Sequence, residues 1–474
     1  MPALPVYFET RLVGQIEVGA RGPTFVYDAA WLRTRGAFPI SVLMPLSSHP
    51  VAPEIFLPWA ANLLPEATQL RTAGSVLGIA PEDVIGILAE IGRDTAGALS
   101  IAKPGSMSGG RKPVPNEQAL ERIIRELPQK PFLVGEDGVS MSLAGVQSKL
   151  GVALDEKGNI CIPVDGAPST HILKPDAATL FGGVQNEALC MVLAKRCGLN
   201  APDVTTGTAG ARSYLLVTRY DRVQQGSLWR RLHQEDFCQA LGKPPASKYQ
   251  NNQSGVPGPK LSEMFALTRN VMRAPDVLSL LDYVIFNVLV CNTDSHAKNY
   301  SILISGQGFR LAPIYDVMCA AAWPNVTRNL PQTIAGKNRG EHLKRRHWQR
   351  FARECGLNPA RTVARVRELA DAVARNVRPS ADLVAKMPAG THALMDEFVK
   401  AIEGRVRTVL VGLEDEEVAV ASRTAPEAPA ARSTKAAKAT KAGRTPKEHQ
   451  ASPDKPIAPV QARARSRRRS GRSA

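Results

Sequence analysis

The pattern of apolar and polar residues divides the chain into an earlier part that favours strands and a later part that favours helices. Short alternating or apolar segments between turn residues predict a series of early strands, at Pro5–Glu9, Leu12–Val18, Thr24–Asp28, Ser142–Leu154, Asn159–Val164, Thr170–Lys174, Asp203–Thr206 and Tyr214–Thr218. Apolar residues at helical spacing predict helical tracts among them, at Trp59–Leu64, Pro81–Ile91 and Gln185–Cys197, the last ended by Gly198. After Glu235 we expect helices, apart from strands at Tyr300–Ile304 and Phe309–Leu311. This order predicts an α+β protein with a β-rich N-terminal lobe and an α-helical C-terminal lobe.

Changes in composition suggest four regions. The Gly-, Pro- and Lys-rich segment 103–117 predicts a linker after a β-rich N-terminal subdomain, residues 1–105. We assign residues 118–234 to the β-rich lobe and residues 235–412 to the α-helical lobe. Residues 420–474 contain no Phe, Trp or Tyr and are rich in Ala, Pro, Lys and Arg. Such a tail cannot bury enough apolar surface to offset its ordering entropy, so we expect it to be disordered.

The positive charge of the chain is concentrated in this tail. The chain has 60 Lys and Arg against 43 Asp and Glu, a net charge of +17, and residues 421–474 hold 14 basic and 3 acidic residues. The rest of the chain is therefore close to an ordinary charge balance. The cluster Arg463–Arg472 suggests an arm that binds DNA or RNA through counterion release, and a merely solubilising extension is the alternative.

The remaining composition favours a cytoplasmic protein without membrane association. The seven cysteines form no C-x-x-C pair, which is typical of reduced, mostly buried thiols. The first residues lack the pattern of a signal peptide. The longest apolar stretch, around Leu278 to Cys291, is too short and too interrupted to span a bilayer.

The polar segment Asn292–Asn299, directly after an apolar helical stripe, carries the strongest chemical signal. Its Asp294 and Asn299 have the D-x-x-x-x-N offset with which protein kinases place a catalytic base and a magnesium ligand. The alternative is an Asx-rich turn at the end of a helix. Because His296 and Lys298 crowd into the same eight positions, behind a buried stripe, we favour catalysis.

Two more charged residues stand in the chain order that ATP-dependent phosphoryl transfer needs. Asp316 follows a short apolar strand, where a kinase holds its main metal-binding carboxylate; a helix N-cap is the alternative. Lys174 ends an apolar strand, where a buried ammonium requires an anion. Either an ATP phosphate or Glu187 of the following helix can serve, as in the Lys–Glu pair of kinases.

Two other segments indicate a function less specifically. The loop Ser142–Lys149 has small residues and a lysine that suit contacts to phosphate, although it has neither G-x-G-x-x-G nor a Walker pattern. The basic segment His342–His347 has histidines five positions apart, which do not share a helix face, so zinc is not expected. We interpret that segment as a solvated face, with DNA phosphate contact as a secondary hypothesis.

Together these motifs resemble the HipA-type serine/threonine kinases of bacterial toxin–antitoxin modules. The resemblance covers roughly residues 5–400 and rests on several segments in matching order, at 62–66 (NLLPE), 92–99 (GRDTAGAL), 142–149 (SLAGVQSK), 171–175 (HILKP), 231–240 (RLHQEDFCQA), 292–299 (NTDSHAKN) and 313–316 (PIYD). The phosphate loop departs from the commoner G-A-Q-E-K-T of that family at Val146, Ser148 and Leu150.

The resemblance implies a two-lobed kinase-like fold and a role for each site residue. Asp294 would be the catalytic aspartate, and Asn299 and Asp316 would hold Mg²⁺. Ser142 matches the serine that family members autophosphorylate, which inactivates them by displacing the loop. The residues expected to contact ATP are Leu143, Ala144, Gly145, Val146, Gln147, Ser148, Lys149, Lys174, Glu235, Phe237, His296 and Lys298, with Glu235 and Phe237 at the adenine hinge.

The sequence therefore predicts an ATP- and magnesium-dependent serine/threonine kinase that phosphorylates a cellular protein and slows growth. The resemblance also implies a helix-turn-helix, HipB-like antitoxin and operator DNA bound through that complex, with the basic tail as a further DNA contact. One alternative is a DNA-associated regulatory protein with a weak or inactive kinase fold. Another is a metal hydrolase built on His296 and the aspartates.

Overall fold

The computed structural model describes residues 3–106, 110–177, 179–226 and 228–414. The expected disorder of residues 420–474 and the Arg463–Arg472 arm lie outside these ranges. Within them, no helix is both long and apolar enough to cross a membrane.

Strands dominate the first half of the described chain and helices the second, in agreement with the sequence pattern. The strands are β1 (Leu4–Phe8), β2 (Arg11–Gly19), β3 (Gly22–Tyr27), β4 (Leu99–Ile101), β5 (Arg111–Pro113), β6 (Leu150–Leu154), β7 (Ile160–Pro163), β8 (His171–Pro175), β9 (Val204–Ala209), β10 (Arg212–Thr218), β11 (Arg222–Gln225), β12 (Leu228–Arg231), β13 (His233–Asp236), β14 (Ser301–Ser305), β15 (Gly308–Leu311), β16 (Asn329–Ile334) and β17 (Lys337–Arg339). The helices are α1 (Ala29–Arg33), α2 (Pro53–Ala61), α3 (Ala67–Leu77), α4 (Val84–Ile91), α5 (Glu117–Glu126), α6 (Gly183–Arg196), α7 (Phe237–Ala240), α8 (Leu261–Val271), α9 (Ala274–Leu289), α10 (Arg345–Glu354), α11 (Pro359–Ala385) and α12 (Met395–Glu414).

The N-terminal part is built on an antiparallel sheet with strand order β3-β2-β1-β4. Along β2, Ile16 is buried while Gln15 and Glu17 are exposed, the alternation expected of a sheet with one covered face. Helix α2 covers that face, where Phe56 stacks on Phe25 of β3 at 5.8 Å between ring centroids. This packing presents the end of α2 and the start of α3 to the rest of the molecule.

The β-rich lobe is an antiparallel sheet of six strands in the order β5-β7-β6-β8-β10-β9. Strand β8 lies in its middle, paired with β6 and β10, so Lys174 near its end is buried. Helix α6 follows and ends before Gly198, whose φ of +83° is the left-handed conformation predicted for it.

The helical lobe centres on α9, whose apolar stripe is buried as predicted, and on α11 and α12, which pack against it. A three-stranded sheet has the order β13-β14-β15; β13 precedes the helices α8 and α9 in the chain, and β14 and β15 follow them. Strand β13 pairs with β14, which directly follows the polar loop after α9. The loop is therefore anchored at both ends.

Three sequence predictions about elements are wrong in part. The strand predicted over Ser142–Leu154 begins only at Leu150, and residues 142–149 form a loop. The predicted linker 103–117 contains β5, which pairs with β7. The chain after Glu235 also contains the hairpin β16–β17 and a long irregular segment at residues 242–260.

A buried ionic cluster joins the N-terminal part to the β-rich lobe. The Asp94 carboxylate accepts hydrogen bonds from Arg222 at 2.9 Å, from Arg231 at 3.1 Å and from the Ser169 hydroxyl at 2.6 Å. Burial alone would raise the pKa of Asp94, but the guanidinium groups outweigh it and hold that pKa well below its usual range. Because each charge has a partner, the cluster fixes the two parts against each other.

Candidate active site

A cavity of about 850 Å³ brings together residues from all three parts of the molecule. Most of the side chains predicted to form the site line it, namely Leu143, Ala144, Gly145, Val146, Gln147, Ser148, Lys149, Lys174, Glu235, Asp294, His296, Lys298, Asn299 and Asp316. Ser142 and Phe237 are not among its lining residues. The volume suits a nucleotide-sized ligand.

Lys174 links the β-rich lobe to the second aspartate. Its ammonium donates to Glu187 Oε1 of α6 at 2.7 Å and to Asp316 Oδ1 at 2.5 Å. Burial opposes the charge on Lys174, but the two carboxylates outweigh it and raise the pKa of that lysine. The Lys–Glu pair proposed from the sequence is therefore present, and it extends to a third member.

Asp316 is held in a strained conformation with its charge preserved. Its φ is +57°, in the left-handed region that is uncommon for a non-glycine residue. No helix begins at Asp316 among the described residues that follow it, so the N-cap alternative is not what the structure has. Burial would raise the pKa of Asp316, but Lys174 and Lys149 outweigh it and lower that pKa well below its usual range. The residue stays a carboxylate.

The loop Asn292–Asn299 is held by its own side chains. Asn299 Nδ2 donates to the Asp294 carbonyl at 2.7 Å, and Asn292 Oδ1 accepts from the Asp294 amide at 3.0 Å. Asn292 in turn donates to Asn287 of α9 at 2.8 Å. These bonds fix the backbone at Asp294, whose side chain is exposed and lines the cavity.

Among the described residues, the Asp294 carboxylate has one side-chain hydrogen bond. The Tyr249 hydroxyl donates to its Oδ1 at 2.5 Å. Surrounding protein removes much of the water from this carboxylate and so raises the pKa of Asp294, while the Tyr249 hydroxyl acts to lower it. A carboxylate with a raised pKa, pointing into a cavity, has the character of a general base.

The other two polar side chains of the loop have different environments. His296 is buried, and its Nδ1 has no hydrogen-bond partner in the described part of the chain. Burial lowers the pKa of His296 well below the usual value, so the ring is neutral. The Lys298 ammonium donates to Asn62 O at 3.2 Å, to Asn62 Oδ1 at 2.7 Å and to Asp236 Oδ2 at 2.7 Å. Since an ammonium has three hydrogens, Lys298 is fully used by the protein.

The phosphate loop, residues 142–149, encloses its own lysine. Lys149 Nζ donates to the Ala144 carbonyl at 2.7 Å. A Cβ at Gly145, whose φ is +109°, would lie 2.5 Å from that nitrogen, so the position needs glycine. Burial lowers the pKa of Lys149 to about 8, opposed by nearby Asp316. Lys149 is thus a buried cation that has no bonded carboxylate among the residues that the structure describes.

The N-terminal part of the molecule holds this loop in place. Ser142 Oγ donates to the Leu63 carbonyl at 2.7 Å, and the Gly145 carbonyl accepts from the Glu66 amide at 3.2 Å. Gln69 Nε2 of α3 donates to the Val146 carbonyl at 2.7 Å. Ser142 is fully buried by these contacts.

The two predicted hinge residues differ in position. Glu235 lines the cavity, but its carboxylate accepts from the Val42 amide at 2.7 Å, and burial raises its pKa to about 8. Phe237 is fully buried beneath the cavity, edge-on to Tyr300, so its ring does not reach a ligand there. Its amide instead donates to the Tyr300 carbonyl at 3.1 Å.

Sequence reasoning missed several residues that line the cavity, and four of them bond to one another or to predicted site residues. Lys248 and Tyr249 line the cavity from the irregular segment 242–260, and Asn62 and Glu66 line it from the N-terminal part. Lys248 donates to Glu66 Oε2 at 2.6 Å. The N-terminal pair lies in the NLLPE segment that the resemblance includes, but neither periodicity nor a charge motif indicates a role for any of the four.

The donors around Asp316 suit a magnesium ion that is shared with phosphates. No cluster of three or more His, Cys, Asp or Glu able to hold a metal alone occurs within the described ranges. Mg²⁺ bound to a nucleotide needs only one or two protein oxygens, with phosphates and water completing its shell. Asp316 uses only Oδ1 on Lys174, and Asn299 Oδ1 has no partner among the described residues. The two residues therefore fit the ion.

Comparison with known proteins identifies the family. The HipA-like C-terminal domain model matches residues 141–377, and the HipA N-terminal domain model matches residues 4–102. The candidate kinase Y4mE of Sinorhizobium fredii is 35% identical over 425 residues, which cover 86% of this chain and 99% of that protein. The serine/threonine-protein kinase toxin HipA of Shewanella oneidensis is 28% identical over 347 residues, 70% of this chain and 78% of the relative.

The fold agrees with a solved structure. A HipA chain from the Shewanella oneidensis MR-1 complex of HipA, HipB and operator DNA superposes with a TM-score of 0.76 at 22% identity, covering 87% of this chain and 98% of that one. The predicted two-lobed α+β fold is thereby confirmed. The chain belongs to the family of HipA-type serine/threonine protein kinases.

Proposed function

We propose that this protein transfers the γ-phosphoryl group of ATP to a serine or threonine hydroxyl of a cellular protein and thereby inhibits growth. The observation that carries the proposal is the Lys174 ammonium, which joins Glu187 and Asp316 in one cavity with Asp294 and Asn299. Family membership supports it, since the Shewanella relative is named a serine/threonine kinase toxin.

In this proposal each side chain acts on one part of the reaction. Lys149 and Lys174 neutralise phosphate charge, and the loop 142–149 covers the phosphates with its backbone. Asp294 accepts the proton of the substrate hydroxyl while the new O–P bond forms and the bond from the γ-phosphorus to the β-phosphate oxygen breaks, releasing ADP. The neutral His296 lines the same cavity without adding charge.

Asn299 and Asp316 would hold Mg²⁺, which when bound offsets the negative charge of the phosphates. The protein's own contribution is to keep Asp316 ionised through Lys174 and to aim the Asn299 amide through its bond to the Asp294 carbonyl.

Purified protein, Mg²⁺ and γ-labelled ATP test the proposal. We expect label in protein, and Asp294→Asn or Asp316→Asn to reduce the rate by about 100-fold or more. Asp282→Asn is a matched control, because Asp282 pairs with Arg365 outside the cavity. A wild-type protein that releases free phosphate without labelling protein would support the hydrolase alternative.

Self-inactivation through Ser142 is a further part of the proposal. The Ser142 hydroxyl is fully buried and bonded to the Leu63 carbonyl, so a phosphate there would break that bond and move the loop. Mass spectrometry of protein expressed alone should find phosphoserine at 142, absent from Asp294→Asn. Unmodified Ser142 in an active enzyme would contradict this.

We also propose a HipB-like antitoxin as the partner, with operator DNA bound through that complex. The support is the solved Shewanella assembly, which contains HipA, HipB and operator DNA. Truncation at Val420 tests whether the basic tail contributes. If the tail binds DNA, its removal should lower both the affinity for DNA and the salt dependence of that affinity. Unchanged salt dependence would exclude the tail as a DNA contact.

A further inference from the structure

Three consecutive residues of the irregular segment, Lys248–Gln250, connect three distant parts of the molecule. We call this segment the strap. Its first side chain binds Glu66 of the N-terminal part, and its second binds Asp294. The third, Gln250, exchanges hydrogen bonds with Thr333 of β16, accepting from the Thr333 amide at 2.9 Å and donating to its hydroxyl at 3.1 Å.

The backbone of the strap is fixed as well. The Lys248 carbonyl accepts from the Ala297 amide at 3.1 Å, within the loop Asn292–Asn299, which we call the catalytic loop. The Gln250 amide donates to the Pro331 carbonyl at 3.0 Å. The Tyr249 ring packs edge-on against His296 at 5.1 Å between centroids. The residues around the strap form no regular strand or α-helix, so these contacts are what set the position of the Tyr249 hydroxyl.

That hydroxyl is bonded to only one of the two carboxylate oxygens. Oδ1 of Asp294 accepts the 2.5 Å hydrogen bond, while Oδ2 has no partner among the described residues. A carboxylate held at one oxygen cannot rotate freely about its terminal bond, so the other oxygen keeps a constant direction. Proton acceptance depends on such alignment, because small displacements of a reacting group reduce rates steeply.

We propose that Tyr249 is a positioning residue, which holds Asp294 so that Oδ2 faces the substrate hydroxyl, and that the strap sets Tyr249 for this task. The proposal rests on the proposed kinase function and extends it to a residue outside the kinase-like motifs. It differs from a nucleotide-binding role, since the hydroxyl is bonded to the base and not to Lys149 or Lys174.

The test is Tyr249→Phe, which removes only the hydroxyl. We expect kcat for phosphorylation of a protein substrate to fall about tenfold while the KM for ATP stays within about twofold. Thermal stability should change little, since the lost bond is to a cavity-exposed carboxylate. Tyr283→Phe is the matched control, because its hydroxyl bonds to the Asn200 carbonyl away from the cavity.

A second variant examines the strap. Glu66→Gln removes the charge that anchors Lys248, and we expect a smaller fall in kcat than in Tyr249→Phe, again with the KM for ATP preserved.

A double variant tests whether Tyr249 acts through Asp294. In an Asp294→Asn background, Tyr249→Phe should cause little additional loss of kcat, because the two residues act as one unit.

These measurements distinguish failure of the positioning role of Tyr249 from failure of the proposed kinase function. If the wild type phosphorylates protein and Tyr249→Phe retains its full kcat, the positioning role is wrong. It is also wrong if Tyr249→Phe raises the KM for ATP as much as it lowers kcat, or if the loss follows a matching loss of thermal stability. A wild type that labels no protein under any condition overturns the proposed function and the positioning role together.

Discussion

The phosphate loop and the catalytic loop each contain a buried lysine, and the two lysines have opposite environments. Lys298 of the catalytic loop is bonded to Asn62 and to the Asp236 carboxylate. Burial opposes its charge, but Asp236 and nearby Glu66 outweigh the burial and raise the pKa of Lys298. The only hydrogen-bond partner of Lys149 of the phosphate loop in the described ranges is a carbonyl, and burial lowers its pKa to about 8. Lys298 therefore stabilises the folded structure through its ion pair with Asp236, while the charge of Lys149 is only partly compensated by the protein.

The difference shows which cation is available to a ligand. A buried charge that already has its partners gains little from an incoming phosphate, whereas one without a bonded anion gains a great deal. Both residues were predicted to contact ATP, and sequence position alone does not distinguish them. By this criterion Lys149 is better suited than Lys298 to meet a phosphate.

The largest effect should come from removing the paired lysine. Lys298→Met leaves the Asp236 carboxylate buried without its cation, which typically costs about 3–5 kcal/mol of folding free energy. Urea unfolding measures the loss, with Lys195→Met of the exposed Lys195–Asp203 pair as a control. Adding Asp236→Asn should restore much of the stability, because Asn keeps the cap on α7. A stability equal to wild type would contradict this account of Lys298.

The neighbouring acids Glu235 and Asp236 extend the contrast to pH dependence. The Asp236 carboxylate is paired with Lys298, whereas Glu235 forms no ion pair within the described part of the chain, and burial raises its pKa to about 8. Between the ordinary carboxyl pKa of 4.5 and about 8, the folded protein holds a proton on Glu235 that the unfolded chain has released, so stability falls as pH rises across that range and levels off above it. In Glu235→Gln, unfolding at about pH 5–8 should show a weaker fall, by an amount on the order of a few kcal/mol. An unchanged pH slope would show that Glu235 is ionised in the folded state.

Removing the unpaired lysine should affect binding and not stability. Lys149→Met loses a phosphate-facing cation without leaving a carboxylate orphaned, so we expect roughly tenfold weaker binding of a non-hydrolysable ATP analogue and stability near that of the wild type. Calorimetric titration measures the first and thermal unfolding the second. Lys157→Met, in an exposed turn, is the control. Equal loss of stability in Lys149→Met and Lys298→Met would contradict the proposed difference between the unpaired and the paired lysine.

The smallest effect should come from loosening the phosphate loop. Gln69→Ala removes the bond to the Val146 carbonyl, worth about 1 kcal/mol at most. Amide hydrogen exchange should quicken in residues 142–149 and stay unchanged in residues 292–299, which serve as the internal control. Equal change in both loops would mean that Gln69 acts on the whole cavity.

Local signals predicted the parts of the site that lie on regular elements. The burial stripe of α9 anchors Asp294 and Asn299, and the order of strand and helix brings Lys174 to Glu187. The partners of Lys298 and Lys248 in the N-terminal part lie 236 and 182 positions away along the chain. No periodicity links residues across such separations, so only the fold could reveal those contacts.

The hairpin β16–β17 was not predicted from the sequence for a different reason. Strand β16 contains Pro331, and the turn to β17 is Ala335–Gly336 with both residues at positive φ. Proline argues against a strand interior, and Ala-Gly is not a common signal for such a turn. The hairpin forms because Gln250 of the strap supplies hydrogen bonds to Thr333 that the sequence pattern does not show.

The ionic cluster around Asp94 bears on how the polypeptide can be divided. Expressing the kinase lobes without the first hundred residues would leave Arg222 and Arg231 facing a site from which their shared anion has been deleted. The shortened product would have to hydrate or expose those guanidinium groups, opening the sheet at β11 and β12. We therefore expect a fragment that begins after the apparent domain border at residue 105 to be less stable than the whole chain.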